Sequence, residues 1–161
     1  MIDIKTRSQN GDPGLTPHEI ARVEDVLPYN LDAWDGYPAE REEIFDATKG
    51  KNLISFAGAS HNAWHNELVD NDGIKAGAEF ATASVTSSGL EGIFGTDPFI
   101  IAGLEQTNVK LMDDVKYSDA SRRGFILATF TASAVSVEWK FVNTIREKVF
   151  QVINGHSHTE Y

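Results

Sequence analysis

The sequence predicts a mixed α/β fold, and three features of the chain carry that prediction. Residues 53–56, LISF, form an apolar run that stops at Gly58, the pattern of a buried strand closing on a turn. Val135, Val137, Trp139 and Phe141 alternate with polar residues, as a strand with one buried face requires. Helix punctuation is clearest at 38–50, PAEREEIFDATKG, with a proline suited to the first helical position, an acidic first turn and a terminal glycine. At 161 residues the chain fits one domain with a sizeable core. Its hydrophobic content of 41% and charged content of 24% are those of an ordinary globular protein.

In chain order, residues 1–15 read as a flexible N-terminal segment punctuated by Gly11, Pro13 and Gly14. Thr16-Pro17-His18-Glu19 opens a short helix with capping-box spacing, and Pro28 ends it. An aromatic loop over 29–37 leads into the helix at 38–49. The strand at 53–56 turns through Ala59-Ser60-His61 into a short helix expected over 61–68. Residues 75–84 read as strand, and Thr86-Ser87-Ser88-Gly89 as a turn. Asp97-Pro98 begins a helix through Leu104, after which 106–114 reads as irregular. The last third is β: strands at 124–130 and 134–142 flank a turn at 131–133, and a short strand follows at 149–153. Residues 154–161 read as a polar tail beyond a body spanning 16–153.

With 24 acidic against 14 basic residues, the formal charge is −10, which argues against a nucleic-acid partner. Arg122-Arg123 is the notable basic cluster and is too small to be an electrostatic footprint. Some of the carboxylates could hold cations. The chain contains no cysteine, which excludes disulfides, thiolate zinc sites and cysteine nucleophiles. No apolar run approaches the roughly 20 residues that span a bilayer, so no membrane span is expected. The opening MIDIKTRSQNGDPG has neither a basic n-region nor an apolar h-region, and it reads as the inside of a longer protein.

Gly58-Ala59-Ser60-His61 is the first place where chemistry could sit. One reading is a strand-to-helix turn in which Ser60 caps and His61 is exposed. The other makes His61 a metal ligand, joined by His65 on one face of a helix. The zinc-protease helix motif is rejected, because it needs Glu after the first His and Asn62 stands there. Asn154-Gly155-His156-Ser157-His158 carries a Gly-His-x-His spacing known as a ligand pattern in binuclear metallophosphatases. The reading preferred here is a polar chain end that frays. Trp34, Asp35 and Tyr37 could line a substrate mouth, or the two rings could pack the loop onto the core while Asp35 bonds its own turn. The hydroxyl-rich stretch 84–89 has no phosphate-loop spacing, and no Gly-x-Ser-x-Gly elbow occurs.

The stretches YNLDAWDGYPAEREEIF, NLISFAGASHNAWHNEL, GAEFATASVTSSG and RRGFILATFTASAVSVEWKFVNTI follow one another between about residue 28 and residue 145. In order and spacing they resemble the C-terminal part of the bacterial PhoD-type alkaline phosphatase and phosphodiesterase family. The WDGYPAER block and the RRG and EW blocks are its most specific elements. The resemblance implies a calcineurin-like metallophosphatase architecture: mixed β-sandwich layers flanked by helices, here as an incomplete C-terminal portion. It implies hydrolysis of phosphate monoesters or diesters with iron and calcium, or another metal pair, polarising the phosphoryl group while a metal-bound hydroxide attacks.

The family's Gly-Asp-x-His motif falls on Gly58-Ala59-Ser60-His61, so the resemblance makes His61 a metal ligand and puts Ala59 where an aspartate ligand is expected. The family's earlier motifs, which supply most of the metal carboxylates, an asparagine and the general histidine, would lie before residue 1. Met112-Asp113-Asp114 stands where an Asn-Pro-His often precedes the RRG block. Gly-His-Ser-His lies beyond the EW block, where the family has no ligand. The chain is therefore expected to be a segment of a metal-dependent phosphoric ester hydrolase that is inactive alone, since an alanine methyl donates nothing to a metal. The alternatives are a non-catalytic remnant and a phospho-ligand binding module using Trp34, Asp35 and Tyr37. Half a sandwich leaves apolar faces and strand edges open, so self-association or pairing with a missing N-terminal segment is expected. The family resemblance also implies export to the periplasm.

Overall fold

Strand periodicity at 135–142 translates directly into the centre of the molecule. The computed structural model describes residues 33–161, and the chain divides into two units, residues 1–44 and 45–161. The segment expected over 1–15 and the helix expected over 16–28 lie outside the described residues. In the first unit, a single 3₁₀ turn at Trp34–Gly36 is closed by the Gly36 N–H on the Ala33 carbonyl at 2.9 Å. Helix α1, Pro38–Thr48, begins there and runs across the unit boundary, as its proline start and Gly50 stop predict. Gly50 takes φ 74°, a left-handed turn that suits a residue without a Cβ.

The second unit holds two sheets. Strands β1 (Leu53–Ala57), β2 (Ala63–Val69), β3 (Lys75–Ala81) and β4 (Val115–Asp119) form one in the order β1-β3-β2-β4. β1 runs parallel to β3, and β2 is antiparallel to both of its neighbours. The β2–β3 hairpin follows from Asp70-Asn71-Asp72-Gly73. The Asp70 carboxylate accepts from the Asp72 and Ile74 N–H groups at 3.0 and 2.7 Å, and Gly73 supplies φ 77°. At Gly77 a Cβ would sit 2.1 Å from the Leu53 carbonyl oxygen, so only glycine lets β1 pair closely with β3 here. Helices α2 (Glu91–Phe94) and α3 (Pro98–Leu111) connect β3 to β4. Asp97 caps α3 by accepting from the Phe99 N–H at 2.8 Å. Strands β5 (Arg123–Phe130), β6 (Val135–Val142) and β7 (Val152–Glu160) form an antiparallel second sheet in that order.

Four expectations are corrected. Residues 61–68 are not a helix: 63–69 form β2, whose backbone groups are satisfied by β3 on one side and β4 on the other. The helix begun at Asp97-Pro98 does not stop at Leu104 but continues to Leu111, so 106–111 is regular. The short strand expected at 149–153 begins only at Val152 and runs on to Glu160, and β4 forms where the far edge of β2 finds a partner. The segment read as a polar tail at 154–161 lies mostly in β7, paired with β6 from Val152 to Glu160.

The two sheets face each other, as the sandwich expectation requires. Val135, Val137, Trp139 and Phe141 of β6 pack on Ala63 of β2 and on Ala78 and Phe80 of β3. Each large apolar side chain buried in this way contributes about 1.5–3 kcal/mol. Trp139 is 1% exposed, and its indole N–H donates to the Ala81 carbonyl at 2.9 Å across the sandwich. Phe80 meets the same indole edge-on, with ring centroids 5.9 Å apart. Replacing Trp139 by Ala should lower stability by about 3–5 kcal/mol. Trp139→Phe should cost about 1–3 kcal/mol, because the Ala81 carbonyl is then buried without a donor. Urea denaturation of the two variants separates ring burial from the hydrogen bond, and an unchanged midpoint for Trp139→Phe would remove the bond from the account.

Candidate functional site

β1 delivers the chain to Gly58, and the next four residues make a tight turn instead of a helix. The His61 N–H closes it on the Gly58 carbonyl at 3.1 Å, and His61 itself takes φ 60°. A non-glycine residue in this region costs roughly 1 kcal/mol or more, so the surrounding contacts must hold it there. Asn62, 1% exposed, donates from its side chain to the Ala120 carbonyl at 2.8 Å and anchors the turn to the end of β4. Gly89 lies against the turn so closely that a Cβ there would sit 2.5 Å from the Asn62 amide nitrogen.

The hydroxyl-rich loop orients the His61 ring. His61 Nδ1 lies 3.1 Å from the Ser88 carbonyl, which can only accept, so Nδ1 is the donor in this contact and Nε2 points away from it. Orientation of one ring nitrogen by a carbonyl is how metal-binding histidines are commonly held. The loop is fixed in turn by the Gly89 N–H donating to the Glu91 carboxylate and by a close ion pair between Glu91 and Arg123. The Arg122-Arg123-Gly124 block thus divides its work. Arg123 secures the loop, Arg122 pairs with buried Asp119, and Gly124 lets β5 approach the Lys140 carbonyl of β6.

Beside this block, an open cavity of about 440 Å³ is lined by Glu91, Glu105, Asp119 and Arg122, among others. Burial pushes the Glu105 carboxyl above the ordinary carboxylate range, and nearby Asp119 adds to the effect, against the Ala120 N–H that bonds it at 2.8 Å.

The donors needed for a metal pair do not assemble around His61. Ala59 presents a methyl group in the same turn. Among the described residues, no group of three or more His, Asp or Glu side chains is placed to hold a metal ion. The residues present therefore fit one imidazole ligand and do not fit a binuclear centre. His65 does not share a helix face with His61. It points into the sandwich from β2 and is 3% exposed. In the other unit, Trp34 and Tyr37 are 51% and 46% exposed, available for contact instead of packed away. Asp35 lies in the same 3₁₀ turn.

The structure instead gathers His65 with the Gly-His-Ser-His histidines, which the sequence reading had set aside as part of a polar tail. His156 and His158 project from β7 towards His65, with ring centroids 6.1 and 4.2 Å from it. His156 stacks on Tyr117 at 4.4 Å and meets Trp139 at 5.3 Å. His158 Nε2 bonds the Glu160 carboxylate at 3.1 Å, and Glu160 also holds Lys75 at 2.6 Å. The signal was available: His156, His158 and Glu160 are two apart, which is strand periodicity. At Gly155 a Cβ would sit 2.3 Å from the Phe141 ring, so the glycine admits β7 to this position.

Replacing Asn62 by Ala should cost about 1–3 kcal/mol through the orphaned Ala120 carbonyl. His61→Gly should leave thermal stability within about 1 kcal/mol of the parent, whereas His61→Val should lose more than that, since a β-branched residue resists φ > 0. Equal stability of all three proteins would mean that the turn is not strained.

A model of the PhoD-like phosphatase family matches residues 3–139. Alkaline phosphatase D of Bacillus subtilis (strain 168) is 29% identical over 128 residues, covering 74% of this chain and 20% of that protein. A solved structure described as the structure of PhoD superposes with a TM-score of 0.63 over 81% of this chain and 25% of the other, at 24% identity, a likeness of fold. The chain spans about a fifth to a quarter of the length of these relatives. β7, with its two histidines, lies beyond the residues that match the family.

Proposed function

The chain belongs to the PhoD-like phosphatase family, and from that premise we propose that it is a portion of a metal-dependent hydrolase of phosphate monoesters or diesters. The observation that carries this reading is the β1–turn–β2 unit, which lies inside the family match and presents a histidine with one ring nitrogen anchored and the other free. His61 is one ligand to a metal pair, iron with calcium or another combination. Ala59 leaves the adjacent ligand position empty, so the remaining donors come from residues outside those described. In isolation the chain is not a competent phosphatase. It works as part of a larger assembly, exported to the periplasm, in which other segments complete the site.

The outer face of β5 supports pairing with such a segment or with a second copy. Phe125 and Leu127 are each about half exposed there, on a strand that pairs among the described residues only with β6. A second reading, a phospho-ligand binding module without turnover, is favoured by the exposed Trp34 and Tyr37 rings flanking Asp35. Among the described residues no helix is long and apolar enough to cross a membrane.

The purified 161-residue chain, supplied with iron and calcium or with manganese, should hydrolyse p-nitrophenyl phosphate and bis-p-nitrophenyl phosphate no faster than buffer does. Robust metal-dependent turnover would overturn the claim of an incomplete site. Ala59→Asp should raise the calorimetric affinity for a divalent ion by about tenfold or more, as an added carboxylate ligand would. An unchanged affinity in that variant would remove the His61 turn from the metal site and favour the binding module.

A further inference from the structure

The three-histidine cluster between the sheets has no part in the reading above. Its chemistry is set by where β7 sits. Among the described residues β7 pairs only with β6, the register slips between Glu138 and Lys140, and most of its residues are exposed. What fixes it beyond the ladder is the row of side chains turned inward: His156 on Tyr117 and Trp139, His158 on His65 and Phe80, and Glu160 on Lys75. Among the described residues, His65 Nδ1 and His156 Nε2 are buried with no hydrogen-bond partner. A proton added at either nitrogen would place a positive charge in an aromatic slot with no acceptor for it.

We propose that His65 and His156 form a proton-operated latch, which holds β7 against the sandwich at neutral pH and releases it in mild acid. The charged groups facing the cluster offset a new charge only in part: Glu160 and Glu67 favour a protonated His65, but burial and the neighbouring histidines outweigh them. Glu160 is already shared between Lys75 and His158, and Glu67 on β2 is held by Lys116 of β4 at 2.8 Å and by Lys75 of β3 at 3.9 Å. Burial pushes the Glu160 carboxyl up, but Lys75 and His158 outweigh that and hold it below its usual range, so it remains committed to those partners. From β4, Tyr117 presents a phenol raised by burial and by Asp119, and it stays neutral. β6 turns Val135, Val137, Trp139 and Phe141 to this side, none of them titratable.

Burial first, then His158 and His156, push the His65 imidazole down from 6.5 to about 4, and burial with His158 lowers His156 as well. Once β7 is released the rings regain ordinary values, so the open state binds protons that the closed state refuses. The closed state is thus favoured above about pH 6.5 and weakens as pH falls towards 4. Each such ring shifts the balance about tenfold per pH unit across that window. Release at the edge of a sheet needs only the local opening available to weakly anchored elements.

Hydrogen exchange of the full chain, corrected for intrinsic rates, tests the latch. Between about pH 7.5 and pH 5, protection of amides in 152–160 should fall at least about tenfold more than protection in β3. The double variant His65→Phe with His156→Phe, which keeps the aromatic packing and removes both buried rings that resist protonation, should hold β7 closed at both pH values. Should that pair fail to fold, His156→Phe alone should still flatten the pH dependence. Unchanged β7 protection at pH 5, parallel loss from β3, or a variant with the parent's full pH response would each overturn the proposal.

Discussion

The Trp139 indole lies between the two sheets with its N–H on the Ala81 carbonyl at 2.9 Å, and both functional regions are positioned from that contact. Ala81 is the last residue of β3, so the bond fixes where the chain leaves the sheet to form the loop that carries Ser84, Ser88 and Gly89. That loop orients the His61 ring and packs beneath the 58–62 turn. The other face of the same indole meets His156 and so defines the slot into which β7 lies. A buried aromatic with a polar handle can do this because its ring supplies the packing while its N–H selects one carbonyl.

The His61 turn combines backbone strain with side-chain orientation. A left-handed histidine is unfavourable by itself, and it persists because Asn62, Gly89 and Ser88 over-determine the turn. The turn therefore holds one imidazole in a fixed orientation, beside an alanine whose methyl has nothing to donate to a metal. The RRG block has a similar structural basis. Its arginines neutralise Glu91 and Asp119, carboxylates that would otherwise be costly where they are partly or fully buried.

Much of this was legible in the chain because it is local. The start and stop of α1, the Asp97 cap, the alternation of β6 and the apolar run of β1 each depend on neighbours a few residues away. The errors have a different origin. A serine followed by a run without proline or glycine suits a helix as well as a strand, and 63–69 became β2 only because β3 and β4 arrive to complete its hydrogen bonds. β1 is not the buried strand expected: among the described residues it stands at the sheet edge, half-buried, with Phe56 exposed. At the candidate site, His61 could still be singled out by its place after that apolar run. Its φ, its Ser88 partner and the lack of company around it could not, because they depend on loops that meet only after folding.

The sequence by itself determined the α/β class, the central buried strand, the glycine turn with its histidine, and the alanine where a carboxylate ligand was expected. These rest on residue identity and on periods of two and of 3.6, which a chain carries wherever it is. Only the tertiary structure decided that His65 faces inward, that residues 152–160 are a strand, and that three imidazoles share one aromatic slot. Their chemistry is set by burial and by one another, and both come from strands far apart in the chain that the sandwich brings within contact.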